Sequence, residues 1–262
     1  MIVSINGKLA TQDEARIDPR DRGFTLGDAL YETIRIRDGE PLRLQRHFAR
    51  LDSGLRLLGF PAPIDQADIT ETIRTVLAAN ELVDAAVRLT VSRGPAARGI
   101  APDPMARQTI VVGAAPYVAP VPAAAILATV TRRNEHSPLS RVKSTNCLDS
   151  VLARIEAGQR GADEALLANV AGRIAEATAA NLFAVIDGVL ATPPVADGAL
   201  PGIMRAELID RLGATEHPLW PADLAKATEL FLTSSLGVRP ILALDGRAVP
   251  QGPASERARS LV

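Results

Sequence analysis

One lysine in this sequence has the setting that amine chemistry requires. Lys143 lies in the polar run of residues 140–146, just before a segment whose apolar residues recur at helical spacing: Leu148, Val151, Leu152 and Ile155. The spacing predicts an amphipathic helix whose apolar stripe faces a core, so Lys143 would lie close to the interior. A lysine in a dry pocket loses its proton easily, and a neutral amine can attack a carbonyl. Lys143 is therefore a candidate Schiff-base lysine, although a lone lysine before a helix is more commonly solvated.

Three further polar groups stand in apolar surroundings. Glu176 is the only acid of residues 172–183 and lies between two predicted apolar strands. A carboxylate there needs a cationic partner. That partner can be a ligand, or equally well an arginine in a structural salt bridge. Pro201-Gly202 leads into a predicted helix, which is either an ordinary helix start or a phosphate site made of free backbone N–H groups. The hydroxyls of residues 233–235 end an apolar strand, where they can bind phosphate or satisfy the backbone.

These groups together meet the requirements of one cofactor. Pyridoxal phosphate needs a lysine amine for its aldehyde, an acid that keeps its pyridine nitrogen protonated, and donors for its phosphate. Lys143 would supply the amine and Glu176 the acid. The donors for the phosphate would come from the helix start after Gly202 and from the hydroxyl cluster. The sequence therefore predicts a pyridoxal-phosphate site.

Composition narrows the other classes of function. The chain has 262 residues, 47% of them hydrophobic, and a formal net charge of −1, so no global field favours nucleic acid or an anionic membrane. No apolar run approaches the roughly 20 residues that span a bilayer, and residues 1–5 indicate a strand rather than a signal peptide, which predicts a cytoplasmic protein. Cys147 is the single cysteine, which excludes an internal disulfide, and the histidines lack metal-ligand spacing, so we expect no metal: His47, His136 and His217.

Four dipeptides predict type I′ hairpin turns and thus mainly antiparallel strands: Asn6-Gly7, Asp38-Gly39, Asp187-Gly188 and Asp245-Gly246. Periodicity predicts helices over residues 47–58, 65–79, 203–212 and 222–227, and strands over residues 85–92, 109–113, 123–131, 164–170 and 230–234. The proline-rich residues 116–122 are the predicted linker. They would separate a small N-terminal α/β domain, residues 1–115, from a larger domain, residues 123–262, that carries Lys143.

The chain resembles, over nearly its whole length, the fold-type IV (class IV) pyridoxal-phosphate enzymes. The resemblance rests on DRGFTLGDALYE (residues 21–32), HFARL (47–51), KSTN (143–146), Glu176 with ANLF (180–183), and LPGI (200–203). It implies a two-domain fold of the α+β or α/β class with mixed sheets and helices, an active site between the domains, and a homodimer.

The resemblance also implies individual roles. Lys143 would carry the cofactor and shuttle the substrate Cα proton, Glu176 would partner the pyridine nitrogen, and Arg50 would pair with the phosphate as a planar fork can. The remaining cofactor contacts would be ring packing by Leu200, backbone N–H groups of Ile203 and Met204, and a hydroxyl of Ser234 or Ser235. Met204 stands where the family commonly has threonine, and Ala177 where glycine is usual.

Substrate contacts follow from the same resemblance. Tyr31 matches an aromatic residue on the substrate side of the ring. Arg98 matches an arginine of the D-amino-acid enzymes that reaches the substrate carboxylate from the second subunit, and Arg35 is a second plausible anchor. Ile100 replaces the histidine of those enzymes, which weakens the case for D-amino acids.

Three functions remain open. A transaminase would move an amino group between a small amino acid, of the D-amino-acid or branched-chain type, and a 2-oxo acid. A 4-amino-4-deoxychorismate lyase would eliminate pyruvate instead, and the chain length and residues 179–183 and 202–205 resemble such lyases. The run KSTN resembles D-amino-acid aminotransferases and lacks the histidine and arginine that many lyases carry after the lysine, so the transaminase is preferred. A non-catalytic vitamin-binding or scaffold protein would tolerate loss of Lys143 or Glu176, and both are present.

Overall fold

The computed structural model describes residues 1–261 and shows two compact units. The first is Met1–Val118 together with Val142–Asn146; the second is Ala119–Arg141 together with the described chain from Cys147 onward. The predicted domains, residues 1–115 and 123–262 with a linker at 116–122, stay a prediction. The units differ from them at Val142–Asn146, because the backbone carbonyl of Lys143 accepts the N–H of Tyr31 at 2.9 Å and ties this segment to the first unit.

The first unit is built on a six-stranded, wholly antiparallel sheet in the order β2-β1-β6-β5-β3-β4. Its strands are β1 Ile2–Ile5, β2 Lys8–Thr11, β3 Ala29–Arg37, β4 Glu40–Pro41, β5 Ala85–Ser92 and β6 Thr109–Pro116. Its helices are α1 Arg22–Leu26, α2 Leu44–Leu57 and α3 Gln66–Ala79.

Helices α2 and α3 form one hydrophobic core with one face of this sheet. Phe48, Leu51 and Leu55 of α2 are buried there, as the helical spacing predicts, and so is Ile73 of α3. The Asp65 side chain accepts the N–H groups that begin α3, which confirms the predicted cap.

The second unit holds a nine-stranded mixed sheet, with the path β12-β11-β10-β13-β14-β7-β8-β9 and β15 paired to β14. The strands are β7 Ala123–Leu127, β8 Glu164–Ala168, β9 Ile174–Ala177, β10 Asn181–Ile186, β11 Val189–Thr192, β12 Thr215–Glu216, β13 Glu229–Ser234, β14 Gly237–Leu244 and β15 Arg247–Ala248. The helices are α4 Leu148–Gln159, α5 Ile203–Leu212, α6 Pro221–Leu224 and α7 Pro253–Arg259, and short 3-10 turns occur at Pro138–Arg141 and Val195–Asp197.

All four predicted hairpin turns are confirmed. The first residue of each dipeptide has φ between 47° and 51° and its glycine has φ between 77° and 79°, as a type I′ turn requires at both central positions. They join β1 to β2, β3 to β4, β10 to β11 and β14 to β15.

The expectation for α4 is wrong in one respect. The helix forms where predicted, but its apolar stripe does not face a core: Leu148 is 77% exposed and Ile155 51% exposed, while Ala153 and Ala157 are buried on the other side. Small residues allow close approach of the helix to the sheet, and periodicity alone does not reveal which face a helix buries.

Local boundaries also differ from prediction in places. Glu176 lies within the short strand β9 rather than between strands, and β6 continues to Pro116. The helices α1 and α7 are not predicted by periodicity, since each is under eight residues long.

Within residues 1–261, no helix has the length and apolarity to cross a membrane, and no group of three or more His, Cys, Asp or Glu side chains could hold a metal ion.

Candidate functional site

Lys143 is fixed beside Tyr31 by backbone pairing. The carbonyl of Lys143 accepts from Tyr31, and the flanking residue Ser144 forms an isolated β-bridge with Leu30. The half-buried Lys143 side chain places Nζ 4.4 Å from the centroid of the Tyr31 ring. The first unit therefore brings together these two predicted site residues. The ring of Tyr31 presents to Lys143 an aromatic face of the kind that stabilises a cationic amine.

A buried carboxylate orients Arg50. Glu32, 1% exposed, accepts from Arg50 Nε at 2.8 Å and from Arg50 Nη2 at 2.5 Å, and its Oε2 lies 2.7 Å from His47 Nδ1. This bidentate pair fixes the plane of the guanidinium. A guanidinium has five N–H donors, so it can hold two anions at once. Sequence reasoning missed Glu32 and His47, whose positions in DRGFTLGDALYE and HFARL were the available signal.

Burial and charge act on this cluster in opposite directions. Burial alone would raise the pKa of Glu32, but the hydrogen bonds from Arg50 and His47 outweigh it and hold that pKa below its usual range. Burial lowers the pKa of His47; the carboxylate of Glu32 opposes this, and the charges of Arg50 and Lys143 add to it. His47 is thus neutral at pH 7, so Glu32 and Arg50 form the ion pair.

The partners of Glu176 within the second unit include an arginine and a backbone N–H group. Arg133 Nη2 lies 3.0 Å from Oε1, and the backbone N–H of Leu200 donates to Oε2 at 2.9 Å. The salt bridge that the sequence left as an alternative is therefore present. Arg133 itself was missed, because a cation 43 residues away in the chain gives no local signal. The two contacts fix the orientation of the carboxylate, and a partner of a pyridine nitrogen needs a fixed orientation as well.

The start of α5 has the features of an anion site. Its N-cap, Gly202, provides no side-chain hydrogen bond to the first turn. A Cβ at Gly202 would overlap Oδ1 of Asn181, whose Nδ2 donates to the Leu200 carbonyl at 2.9 Å. The backbone is therefore held close, and the N–H groups of Ile203 and Met204 begin the helix without a side-chain cap. The N-terminal end of a ten-residue helix favours a phosphate.

The hydroxyl cluster lies at the β13–β14 hairpin. Thr233 Oγ1 is buried and, within residues 1–261, has no hydrogen-bond partner. Ser234 accepts from the N–H of Leu236 at 3.2 Å, and Ser235 is half-buried in the turn. An orphaned buried hydroxyl is costly unless a ligand or water satisfies it, so this turn fits a polar ligand.

The two predicted carboxylate anchors differ in their engagement. Arg35 is 5% exposed, donates to the carbonyl of Ile36, pairs with Asp84 at 2.8 Å and lies 3.5 Å from the centroid of the Tyr117 ring. Arg98 is exposed and lines a cavity of about 380 Å³ with Arg20 and Arg22. The contacts of Arg35 with Asp84, Ile36 and Tyr117 count against Arg35 as a substrate ligand.

A buried ion cluster that sequence reasoning missed supports the loop carrying Arg98. Asp28 pairs with Arg22 at 2.8 Å and with Arg93 at 2.7 Å. Arg22 in turn donates to the carbonyls of Gly99, Ile100 and Ala101, at 3.1, 2.8 and 3.4 Å. Burial would raise the pKa of Asp28, and the two arginines hold it below its usual range. Asp28 therefore supports the loop through the guanidinium of Arg22, while the guanidinium of Arg93 donates to the carbonyls of Leu58 and Gly59.

The donor set fits pyridoxal phosphate. The second unit joins the carboxylate of Glu176, which faces Arg133, to an uncapped helix start through Leu200, and it presents an unsatisfied hydroxyl at Thr233. The first unit presents an amine beside an aromatic ring and an arginine whose plane is fixed. No residue in these sets is chemically at odds with a phosphorylated pyridine.

The chain belongs to the class IV aminotransferase family. The sequence model of that family, "Amino-transferase class IV", matches residues 29–244. This confirms the resemblance to the class IV enzymes and makes the chain an enzyme of that family.

Individual relatives divide between two kinds of aminotransferase. The branched-chain-amino-acid aminotransferase of Salmonella typhimurium is 30% identical over 94% of this chain and 86% of its own length. The D-alanine aminotransferase of Bacillus licheniformis is 28% identical over 96% of this chain and 91% of its own.

Solved structures extend the likeness to a lyase. The branched-chain amino acid aminotransferase from Escherichia coli has a TM-score of 0.91 at 27% identity, covering 99% of this chain and 92% of that one. The 4-amino-4-deoxychorismate lyase from Pseudomonas aeruginosa has a TM-score of 0.85 at 33% identity, covering 99% and 97%. The predicted fold class, a fold-type IV enzyme with mixed sheets and helices, is confirmed.

Proposed function

We propose that this chain is a pyridoxal-phosphate-dependent transaminase that moves an amino group between a small amino acid, of the D-amino-acid or branched-chain type, and a 2-oxo acid. The observation that carries the proposal is the connection of Glu176 to the start of α5 by one backbone hydrogen bond, from Leu200. An acid and a phosphate site in a fixed backbone relation suit one ligand with a basic ring nitrogen and a phosphate.

Each proposed cofactor contact has a defined task. Lys143 would hold the cofactor through Nζ, and Glu176 would keep a proton on the ring nitrogen. Arg50, the N–H groups of Ile203 and Met204, and a hydroxyl of Ser234 or Ser235 would bind the phosphate, and Leu200 would pack on the ring. When bound, pyridoxal phosphate supplies an electron-withdrawing ring that acidifies the substrate Cα–H. Lys143 Nζ would then take and return that proton, and Tyr31 would limit the position of Nζ.

A second candidate function is 4-amino-4-deoxychorismate lyase. Its support is the 33% identity to the Pseudomonas aeruginosa lyase structure, which exceeds the 27% identity to the Escherichia coli aminotransferase structure. The run Lys143-Ser144-Thr145-Asn146 favours the transaminase, since residues beside the reacting amine steer the proton.

Ile100 in place of a histidine leaves the handedness of the substrate open. A homodimer and a cytoplasmic location stay predictions of the family resemblance and the composition.

The deciding experiment has two assays of the purified holoenzyme. The first supplies D-alanine, L-leucine or D-glutamate together with a 2-oxo acid, and the second supplies aminodeoxychorismate; the products of both are identified by mass. We expect amino-group transfer from at least one of the three donors and no pyruvate from aminodeoxychorismate. Release of pyruvate and 4-aminobenzoate, with no transfer from any donor, would establish the lyase instead.

A further inference from the structure

The segment that carries Lys143, Val142–Asn146, is a short excursion of the chain into the first unit. Residues 119–141 before it and the described chain after it belong to the second unit. A lysine amine stands on a long, flexible stem, so the place where its backbone is held decides where the amine can reach. The anchors of this segment therefore bear directly on the position of Nζ.

Two backbone hydrogen bonds pair the segment with the start of β3. The N–H of Tyr31 donates to the carbonyl of Lys143 at 2.9 Å, and the N–H of Thr145 donates to the carbonyl of Ala29 at 3.0 Å. The two bonds enclose a single antiparallel bridge. A ladder this short is open to fraying at its end unless side chains hold it.

The carbonyl of Gly27 is the side-chain anchor of the segment. It accepts from Thr145 Oγ1 at 3.0 Å, from Asn146 Nδ2 at 3.1 Å and from the backbone N–H of Ala29 at 2.9 Å. A carbonyl oxygen has two lone pairs, so three donors saturate it. Gly27 has a φ of 66°, and a Cβ there would lie 2.7 Å from Asn146 Oδ1. The close approach of the asparagine to this turn therefore requires a glycine.

The same stretch of chain carries both this anchor and the ring beside the amine. Gly27 ends α1, β3 begins at Ala29, and Tyr31 follows within β3. Lys143 Nζ lies 4.4 Å from the centroid of the Tyr31 ring. Fixing the segment to Gly27 therefore fixes the amine relative to the ring.

We propose that Thr145 and Asn146 are positioning residues, which fix Lys143 through the carbonyl of Gly27 and thereby set the handedness of the amino acid that is formed. The assignment rests on the proposed transaminase function, in which Nζ gives a proton to one face of the substrate Cα. An amine held in one place protonates one face. When the amine is displaced, water can protonate the opposite face, and the mirror-image amino acid results.

The test compares the wild type with Thr145→Val, Asn146→Ala and Thr145→Ser. Valine keeps the shape of threonine without its hydroxyl, and serine keeps the hydroxyl. Thr75→Val is the matched control, since the exposed Thr75 on α3 also donates its hydroxyl to a carbonyl, that of Glu71, at 2.9 Å.

Two quantities are measured in each protein. The first is hydrogen exchange of the backbone N–H groups of Tyr31 and Thr145 in the purified protein, by mass spectrometry with single-residue resolution. The second is the mirror-image fraction of the amino acid that the holoenzyme forms from a 2-oxo acid, by chiral chromatography.

We expect Thr145→Val and Asn146→Ala each to speed exchange at both N–H groups by about 2- to 12-fold, the range for loss of one neutral hydrogen bond. The mirror-image fraction should rise by a similar factor in these two variants and keep its wild-type value in Thr145→Ser and Thr75→Val. A fraction does not depend on how much of the protein is folded, so a merely structural role would lower turnover and leave the fraction unchanged.

Faster exchange with an unchanged mirror-image fraction would overturn the proposal, because the two side chains would then hold the segment without steering the proton. Unchanged exchange in both variants would overturn it as well, since Gly27 would not be the anchor. If the wild type transferred no amino group, the proposed function would fail, and the exchange at Tyr31 would still decide whether Thr145 and Asn146 hold the backbone of Lys143.

Discussion

Leu200 donates its backbone N–H to Oε2 of Glu176 over 2.9 Å, while Arg133 lies 3.0 Å from Oε1. One of these two partners is the backbone two residues before the N-cap of α5. The position of the acid relative to the proposed phosphate site is therefore set by main chain, which varies less than a long side chain.

Glu176→Gln tests the charge of this acid. Glutamine retains an acceptor for Leu200 but loses the negative charge that faces Arg133 and would keep the ring nitrogen protonated. We expect turnover to fall by about 10- to 150-fold, as for loss of a charged hydrogen bond worth about 1.5–3 kcal/mol, with the cofactor still bound. Turnover and bound pyridoxal phosphate are assayed together, with exposed Glu256→Gln as control. Full turnover in Glu176→Gln would remove the acid from the proposed mechanism.

Lys143→Ala tests the reacting amine. The chain has three lysines, Lys8, Lys143 and Lys226. Borohydride reduction followed by peptide mass mapping therefore shows which of the three carries the pyridoxyl group. We expect the pyridoxyl mass on the peptide of Lys143 in the wild type and in the control Lys226→Ala, and on no peptide of Lys143→Ala, which should also lack turnover. Thermal unfolding should show an intact fold. A pyridoxyl adduct on Lys226 in the wild type would refute the assignment.

Gly202→Ala tests the close approach at the start of α5. The added Cβ would overlap Asn181, so the turn or the amide must move, and overpacking of this kind costs about 1–3 kcal/mol. We expect a lower melting temperature and faster loss of pyridoxal phosphate on dialysis. The double variant with Asn181→Ala should recover part of the stability, because the overlap is gone. Gly158→Ala, which meets nothing within 4 Å in α4, should be harmless; an equally harmless Gly202→Ala would contradict the packing argument.

His47→Gln tests the titration of the buried cluster. The folded-state pKa of His47 lies below its ordinary value of 6.5, so the unfolded chain binds this proton first as the pH falls. Stability is therefore complete above about pH 6.5 and decreases as the pH falls from there toward the folded-state pKa. We expect a shallower fall of the melting temperature with pH in His47→Gln than in the wild type. The exposed His217→Gln should keep the wild-type slope, and the same slope in all three proteins would refute the argument.

Asp28→Asn tests the support of the loop that carries Arg98. Removing the carboxylate leaves two guanidinium groups, those of Arg22 and Arg93, buried without their common counter-charge, which costs about 3–5 kcal/mol. We expect reduced stability and faster proteolysis within residues 95–101. The exposed Asp187→Asn should change neither, as measured by limited trypsin digestion at Arg98. Unchanged cleavage in Asp28→Asn would show that the loop is held by other contacts.

Local chemistry in the sequence predicted the four hairpin turns, the helices α2, α3 and α5, and the residues of the proposed cofactor site. A type I′ turn needs positive φ at two adjacent residues, and Asn-Gly or Asp-Gly between two predicted strands supplies it, so the four hairpins could be predicted directly. The apolar spacing of α2 and α3 fixes which residues share a face, and the Asp65 cap fixes where α3 begins. Lys143 and Glu176 stood out for different reasons: Lys143 immediately precedes a segment with helical apolar spacing, and Glu176 is the only acid among apolar strand residues.

Only the tertiary structure decided which neighbours those faces and charges meet. It turned the apolar stripe of α4 away from the core, paired Glu176 with Arg133, and joined Glu32 to Arg50. It also tied Thr145 and Asn146 to the carbonyl of Gly27, 118 and 119 residues away in the chain. Periodicity describes one element at a time, whereas these contacts depend on strand register and on which segments pack together, and those are settled by hydrogen bonding and burial across the whole unit.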